Sequence, residues 1–316
     1  MKNPYFIYEI TPRCNSNCLY CYNIWKENSS YPHGELRIVQ IKELFTKLFS
    51  EVIPKRITIA GGEPLMYSDL FEVISFLRSQ NIMVSIATNG TLLSEGILKK
   101  LIASGVDYFE ISLVSLNSKT YERLSRNNKL PQAKKAILNI KKYKARLAVS
   151  FVINKLNFEN IEDVIDFCYA SSVDVLALNR FALGGRGLKY KSLLQISNFE
   201  LKTVLKIANQ KSKEYNFPIN ITIPIENCLI NHNEYPFLNF GGCECGRRKW
   251  VIDPLGNLRI CEQNPHILGS LFKKSFYELS GLDKIHEFKK DNLRDSCNSC
   301  KLFDFCRGGC RYTRYN

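Results

Sequence analysis

From residue 6 to about residue 180, short apolar runs alternate with longer stretches that carry apolar residues at helical spacing. The runs Phe6–Ile10, Arg56–Ala60, Met83–Thr88, Tyr108–Leu113, Leu147–Ile153 and Asp174–Asn179 read as strands. Between them Glu35–Phe49, Tyr67–Ser79, Leu93–Ser104, Pro131–Tyr143 and Ile161–Ala170 read as helices. Six such units make an α/β chain with a parallel sheet and helical crossovers. The pattern leaves open whether the sheet wraps into a barrel or stays doubly wound; in either case sites fall at the carboxyl ends of the strands. Residues 188–240 hold one more helix, Phe199–Tyr215, and a short apolar run, Ile219–Ile225. Residues 241–316 break the rhythm: apolar runs flank Pro254-Leu255-Gly256-Asn257, a β-hairpin signal, and a cysteine-rich stretch follows. The expected division is 1–187, a bridge 188–240, and 241–316.

Composition narrows the class. Apolar residues make up 45% of 316, enough for a sizeable core. No run is long enough to span a membrane and the chain opens on a strand, so a cytoplasmic protein is expected. Twelve cysteines are many for such a chain unless they bind metal, and eleven fall within the first 21 residues or after Ile225. The formal charge of +14 suits either an acidic partner or a solvated lysine surface.

The chemistry starts directly after the first strand. Cys14, Cys18 and Cys21 stand at CxxxCxxC spacing in Thr11-Pro12-Arg13-Cys14-Asn15-Ser16-Asn17-Cys18-Leu19-Tyr20-Cys21. Three thiolates on one loop can hold three irons of a cubane cluster and leave the fourth iron open. Zinc is the plainer use of close cysteines, but it prefers CxxC pairs closed by a fourth ligand. The stretch resembles the signature of the radical S-adenosylmethionine (SAM) superfamily. The resemblance implies a [4Fe-4S] cluster whose open iron chelates SAM and cleaves it reductively to a 5′-deoxyadenosyl radical, with Tyr20 bordering the adenine. It also implies a partial (β/α)6, TIM-like barrel.

About forty residues on, Gly61-Gly62-Glu63-Pro64 follows the second strand. Two glycines allow close backbone approach, and a carboxylate can pair with an ammonium group. The segment resembles the family's GGE motif, in which Glu63 would hold the methionine amino group. Thr88-Asn89-Gly90 resembles its TNG segment, placing Thr88 and Asn89 near SAM. Ser112-Leu113-Val114-Ser115 resembles its SLDG segment at Ser112 and departs from it at Val114 and Ser115. Arg123 or Arg126 would meet the SAM carboxylate. Asn179-Arg180 through Arg186-Gly187 makes a glycine-rich cationic loop able to receive an anion or a peptide backbone.

At the other end, Cys243, Cys245 and Cys261 bracket the hairpin, and Cys297, Cys300, Cys306 and Cys310 follow as CxxC-x5-C-x3-C. Zinc alone would suit the CxxC pair. The whole pattern resembles the SPASM extension (with the related twitch type), which carries auxiliary iron–sulfur clusters. That resemblance implies a first auxiliary [4Fe-4S] cluster on Cys243, Cys245, Cys261 and Cys310. A second would rest on Cys297, Cys300 and Cys306, lacking the family's seventh cysteine; Cys228 stays ambiguous.

The resemblance points to an enzyme that abstracts a hydrogen from a peptide or protein, as maturases of ribosomal peptides do, forming a crosslink or similar oxidation. Formylglycine formation of the sulfatase-maturase type is the near alternative, with Glu262 as base. Expected partners are a peptide with an acidic leader, a separate leader-recognition protein (only about five residues precede the first strand) and a reductant such as flavodoxin or ferredoxin. A zinc-stabilised RNA-binding module is the reading from another class; no aromatic stacking motif supports it.

Overall fold

A computed structural model describes residues 4–290 and 293–313. The described strands are β1 (Tyr5–Thr11), β2 (Arg56–Gly61), β3 (Met83–Thr88), β4 (Tyr108–Ser112), β5 (Leu147–Ile153), β6 (Val175–Arg180), β7 (Ile219–Ile221), β8 (Leu238–Phe240), β9 (Lys249–Ile252), β10 (Asn257–Arg259) and β11 (Ile267–Ser270). They form one sheet in the order β11-β10-β9-β1-β2-β3-β4-β5-β6-β7-β8. Neighbours from β1 to β8 are parallel.

That order settles the choice the sequence pattern left open. A doubly wound sheet reverses its direction of growth and places helices on both faces. Here β1 to β8 are added in one direction, so right-handed crossovers put the helices between them on the same face and the sheet curls. The helices up to β7 are α1 (Ile38–Glu51), α2 (Leu70–Ser79), α3 (Glu95–Ser104), α4 (Ser118–Ser125), α5 (Leu130–Lys142), α6 (Ile161–Ala170), α7 (Gly185–Lys189), α8 (Lys191–Leu194) and α9 (Asn198–Tyr215). They touch in series, α1 to α2 to α3 to α5, and α6 to α9. The fold is a partial barrel.

The barrel does not close because the free edge of β1 is already used. β9 lies along it in parallel, with Tyr5 opposite Lys249 and Tyr8 opposite Ile252, and β10 and β11 continue as antiparallel strands. The C-terminal hairpin expected from the Pro254–Asn257 turn is therefore part of the same sheet. β7 and β8, from the bridging stretch, extend its other end.

Strand alternation divides the sheet into two chemical faces. Ile57, Ile59, Val84, Ile86, Phe109, Ile111, Val149 and Leu178 are fully buried under the helices. Each contributes about 1.5–3 kcal/mol by leaving water. On the concave face the alternate positions are small or polar: Thr58 and Ala60, Ser85 and Ala87, Glu110 and Ser112, Ser150, and Asn179. Hydrogen bonds stitch them across strands, Thr58 to Ser85 at 2.8 Å and Asn179 to Ser150 at 2.8 Å.

Several elements differ from the sequence pattern: α2 starts at Leu70, not Tyr67, α3 at Glu95, not Leu93, and β7 ends at Ile221, not Ile225. α1 starts at Ile38, not Glu35, because the Glu35 carboxylate turns back to the Thr11 hydroxyl and the Arg13 guanidinium. α4 was not read from the sequence; it is short and strongly polar, with Asn117 capping it through the Thr120 amide.

Candidate active site

The cysteine loop leaves β1 and is clamped by the turn after β2. The Gly62 amide donates to Thr11 O at 2.7 Å and the Glu63 amide to Arg13 O at 2.7 Å. A Cβ on Gly62 would sit 2.0 Å from Arg13 O, and Gly61 has φ +124° with Thr11 O in the way. The close approach made possible by these glycines is thus between two backbones, and it brings Glu63 beneath the loop.

Glu63 is fully buried. Its Oε1 accepts from the Thr88 hydroxyl at 2.6 Å and the Leu65 amide at 3.2 Å, and Oε2 accepts from the Asn89 amide at 2.9 Å. Burial pushes its carboxyl above the ordinary range, against these three donors. No cation pairs with it among the described residues. Thr88 and Asn89, expected beside SAM, here hold Glu63 in place.

Asn89 also fastens the loop. Its Nδ2 donates to Asn15 Oδ1 at 2.8 Å, Asn15 Nδ2 donates to Thr91 Oγ1 at 2.8 Å, and Asn127 Nδ2 donates to Ser16 Oγ at 2.8 Å. Asn15, Ser16, Thr91 and Asn127 have no sequence signature, since their partners lie up to 111 positions away. The three loop thiols are half-buried. Burial, followed by the neighbouring Cys21, pushes the Cys18 thiol up to about 12, and a hydrogen bond from the Tyr20 hydroxyl opposes them. Burial also raises Cys14, with Lys26 acting the other way. Such sulfurs become thiolates in the company of a cation. Arg126 is the exposed left-handed cap of α4, and Ser112 ends β4 on the concave face.

The glycine-rich loop after β6 differs from its reading as an anion receiver. Arg180 is buried in an ion pair with Glu226 at 2.9 Å and also meets the Thr313 hydroxyl. Arg186 pairs with Glu27 and meets Asn17. The Gly187 amide donates to Cys21 O at 3.1 Å, and a Cβ on Gly185 would lie 2.5 Å from Asn23 O. The loop receives the cysteine loop itself.

The concave face carries charges between the two ends of the sheet. Glu9 and Arg259 pair with neither exposed, and burial pushes the Glu9 carboxyl up to about 8 against the pull of Arg259. Glu262 is buried at 9% exposure and pairs with Lys249 at 2.6 Å. Burial alone would raise its carboxyl, but the Lys249 ammonium outweighs this and holds it below the usual range. The Glu262 charge is felt by Tyr22, next to Cys21, and by Glu110.

At the C-terminal end the sulfurs of Cys243 and Cys245 share a hydrogen bond, as do those of Cys245 and Cys261. Cys310 lies close enough to Cys261 and Cys243 that, after burial, their charges help push it up to about 12. Cys245, Cys261 and Glu262 bring their ligand atoms within 4.8 Å of one another. Arg307, on Glu244 at 2.5 Å, and Arg311, on the carbonyls of Arg307, Gly309 and Lys289, surround this group with positive charge. Cys297, Cys300 and Cys306 follow on short turns, with Cys300 exposed and Cys306 buried. Soft sulfur donors massed in this way suit iron–sulfur clusters, and the buried, uncompensated Glu63 suits an ammonium group. The residues fit the cofactors.

Comparison with known proteins agrees with this geometry. The radical SAM superfamily matches residues 8–168, and the SPASM iron–sulfur cluster-binding domain matches residues 243–301. The chain belongs to the radical SAM superfamily and is an enzyme of that class, built to carry SAM and iron–sulfur clusters. It is 26% identical to the AdoMet-dependent heme synthase of Methanosarcina barkeri, over 98% of this chain and 91% of that protein. It is 22% identical to the mycofactocin maturase of Mycolicibacterium smegmatis, over 98% of this chain and 78% of that one. The fold is similar to that of Streptococcus suis SuiB bound to its precursor peptide SuiA, with a TM-score of 0.75 at 18% identity, covering 98% of this chain and 72% of that one. No described helix is long and apolar enough to cross a membrane.

Proposed function

We propose that this radical SAM enzyme oxidises a side chain of a peptide or protein, in the manner of a ribosomal-peptide maturase. The observation that carries this reading is the position of Glu262. It is a buried, ionised carboxylate beside Cys261 on the concave face, and its charge reaches Tyr22 next to Cys21. A substrate held there has the SAM-cleaving loop on one side and the first auxiliary sulfurs on the other.

In this reading Cys14, Cys18 and Cys21 hold the SAM-cleaving cluster, and Glu63 receives the ammonium of SAM. Thr88 and Asn89 keep that carboxylate oriented, Ser112 and Tyr20 flank the nucleoside, and Arg126 meets the carboxylate of SAM. Cys243, Cys245, Cys261 and Cys310 hold the first auxiliary cluster; Cys297, Cys300 and Cys306 belong to a second. When bound, these groups supply a hydrogen-abstracting deoxyadenosyl radical and a sink for the electron left on the substrate. Glu262 accepts the proton that the oxidised substrate must lose, and Lys249 keeps it ionised until then. The cationic surface suits an acidic leader, a separate leader-recognition protein would present it, and a flavodoxin or ferredoxin would supply electrons.

The precursor peptide bound by the structurally similar SuiB favours a peptide; the name of the heme synthase makes a tetrapyrrole the competing substrate. Anaerobically reconstituted protein should cleave SAM under reduction and remove two hydrogens from a co-expressed candidate peptide, read by mass spectrometry. Glu262→Gln should keep SAM cleavage and lower product by about 100-fold or more, the usual range for a positioned proton acceptor. A colourless zinc protein would end the radical reading. Turnover of a porphyrin instead of any peptide would end the peptide reading, and an active Glu262→Gln would end the role of the base.

A further inference from the structure

Of the twelve cysteines, three form the N-terminal loop and four gather around Cys245, while Cys297, Cys300 and Cys306 form the last set. Cys168 is fully buried on α6, where burial alone raises its thiol. That leaves Cys228, an exposed thiol, and a set of three, where a closed cubane takes four thiolates. We propose that Cys228 is the fourth ligand of the second auxiliary cluster, with Cys297, Cys300 and Cys306. The proposal rests on the reading of those three as cluster ligands.

The structure ties Cys228 to the segment that carries them. Its Sγ accepts from Arg294 Nη1 at 3.7 Å, and the Arg294 carbonyl receives the Cys297 amide at 2.8 Å, opening the turn Asp295–Cys297. The Cys300 amide then returns to Cys297 O at 3.3 Å. A cavity of about 390 Å³ is lined by Asn227 and His232 from the Cys228 loop and by Leu302 and Phe305 from the segment between Cys300 and Cys306. His232 meets the Phe305 ring edge-on at 6.1 Å. On the far side the Cys310 amide donates to Pro224 O at 3.1 Å, and Arg180 joins Glu226 to Thr313. The loop around residues 224–235 and the segment 294–313 thus pack against each other, with the Cys228 sulfur in contact with Arg294, three residues before the CxxC.

Thiolate sulfur is the form of cysteine that ligates iron. Four thiolates saturate a cluster and restrict it to electron transfer, whereas three would leave an iron open to substrate. With Cys228 engaged, a second cluster would be held by four sulfurs and would supply electron transfer.

The test uses the full chain, reconstituted anaerobically with iron and sulfide and analysed by metal content, acid-labile sulfide and electron paramagnetic resonance. Wild type should hold about twelve irons, and Cys300→Ala and Cys228→Ala should each fall towards about eight or show a three-iron signal, with the double variant losing no more. The signals of the other two clusters must persist, which separates loss of a ligand from loss of the fold. In loaded wild type, iodoacetamide should spare Cys228 and label it only after iron is chelated. If Cys300→Ala loses iron while Cys228→Ala does not, or if Cys228 is alkylated equally with and without iron, the assignment is wrong. If Cys300→Ala loses nothing, or zinc occupies the site, the cluster reading beneath it is wrong.

Discussion

Cys14, Cys18 and Cys21 are held by the barrel; the C-terminal cysteines are held largely by one another. The first loop is fastened by two backbone bonds to Gly62 and Glu63 at the end of β2 and by the amide network of Asn15 with Asn89, after β3, and of Ser16 with Asn127, after α4. Cys297, Cys300 and Cys306 instead sit on turns of three or four residues, and their neighbours Leu302 and Phe305 are exposed. Their chain is anchored at a few points, chiefly the Arg180, Glu226 and Thr313 clamp and the Pro224 carbonyl. Where packing supplies little, metal binding supplies folding energy. The N-terminal cysteine loop is therefore preorganised by the fold, whereas the segment carrying Cys297, Cys300 and Cys306 would depend on bound metal.

Breaking the first region should cost the most. Gly62→Ala places a Cβ against Arg13 O and must displace the cysteine loop, so SAM cleavage should fall to background while the auxiliary cluster signals remain. Intact cleavage would mean the clamp is dispensable. Iron chelation tests the other half: amide hydrogen exchange should rise first in residues 293–313, while β1 and β2 stay protected. Uniform exchange across both regions would erase the difference.

Smaller effects sharpen the comparison. Arg180→Met leaves Glu226 as a buried charge without its guanidinium, and removing one partner of such a pair costs about 3–5 kcal/mol. Urea unfolding should show that loss with the SAM-site cluster signal unchanged at low urea. Asn127→Ala removes one bond to Ser16, worth about 1 kcal/mol, and should weaken SAM binding in calorimetry without altering auxiliary iron.

The smallest effect is on acid sensitivity. Burial lowers the pKa of His232, opposed by its contact with Ile225 O, while its ring stacks on Phe240 at 4.0 Å. A base with a lowered folded pKa takes up a proton more readily when unfolded. Stability from neutral His232 is thus complete above about pH 6.5 and is lost as pH falls from there through the folded value. Denaturation midpoints at pH 7.5 and 5.5 should differ more for wild type than for His232→Phe; equal differences would show that the ring is not the titrating group.

Much of the site could be read from residues 14–21, 61–63 and 88–89, because a ligand set on one loop or one strand end is a short-range pattern. The partners that make the site rigid were out of reach. Lys249 and Glu262 lie on separate sides of a hairpin, and Ser16 and Asn127 are 111 positions apart. Glu262 was visible as a residue beside Cys261, but its burial and its ammonium partner were not.

The alternation of apolar runs and helical periods was sufficient for six parallel strands with helices between them, since each element buries its own apolar face and shows this in its own residues. Which strands lie side by side is a property of the assembled chain. The single direction in which β1 to β8 are added made the sheet curl with the helices between them outside. The pairing of β9 with β1 left the barrel open and joined the auxiliary sulfurs to the sheet that carries the SAM loop. Hydrogen bonds between strand edges are the same for any pair in register, so only the packed structure could choose that neighbour.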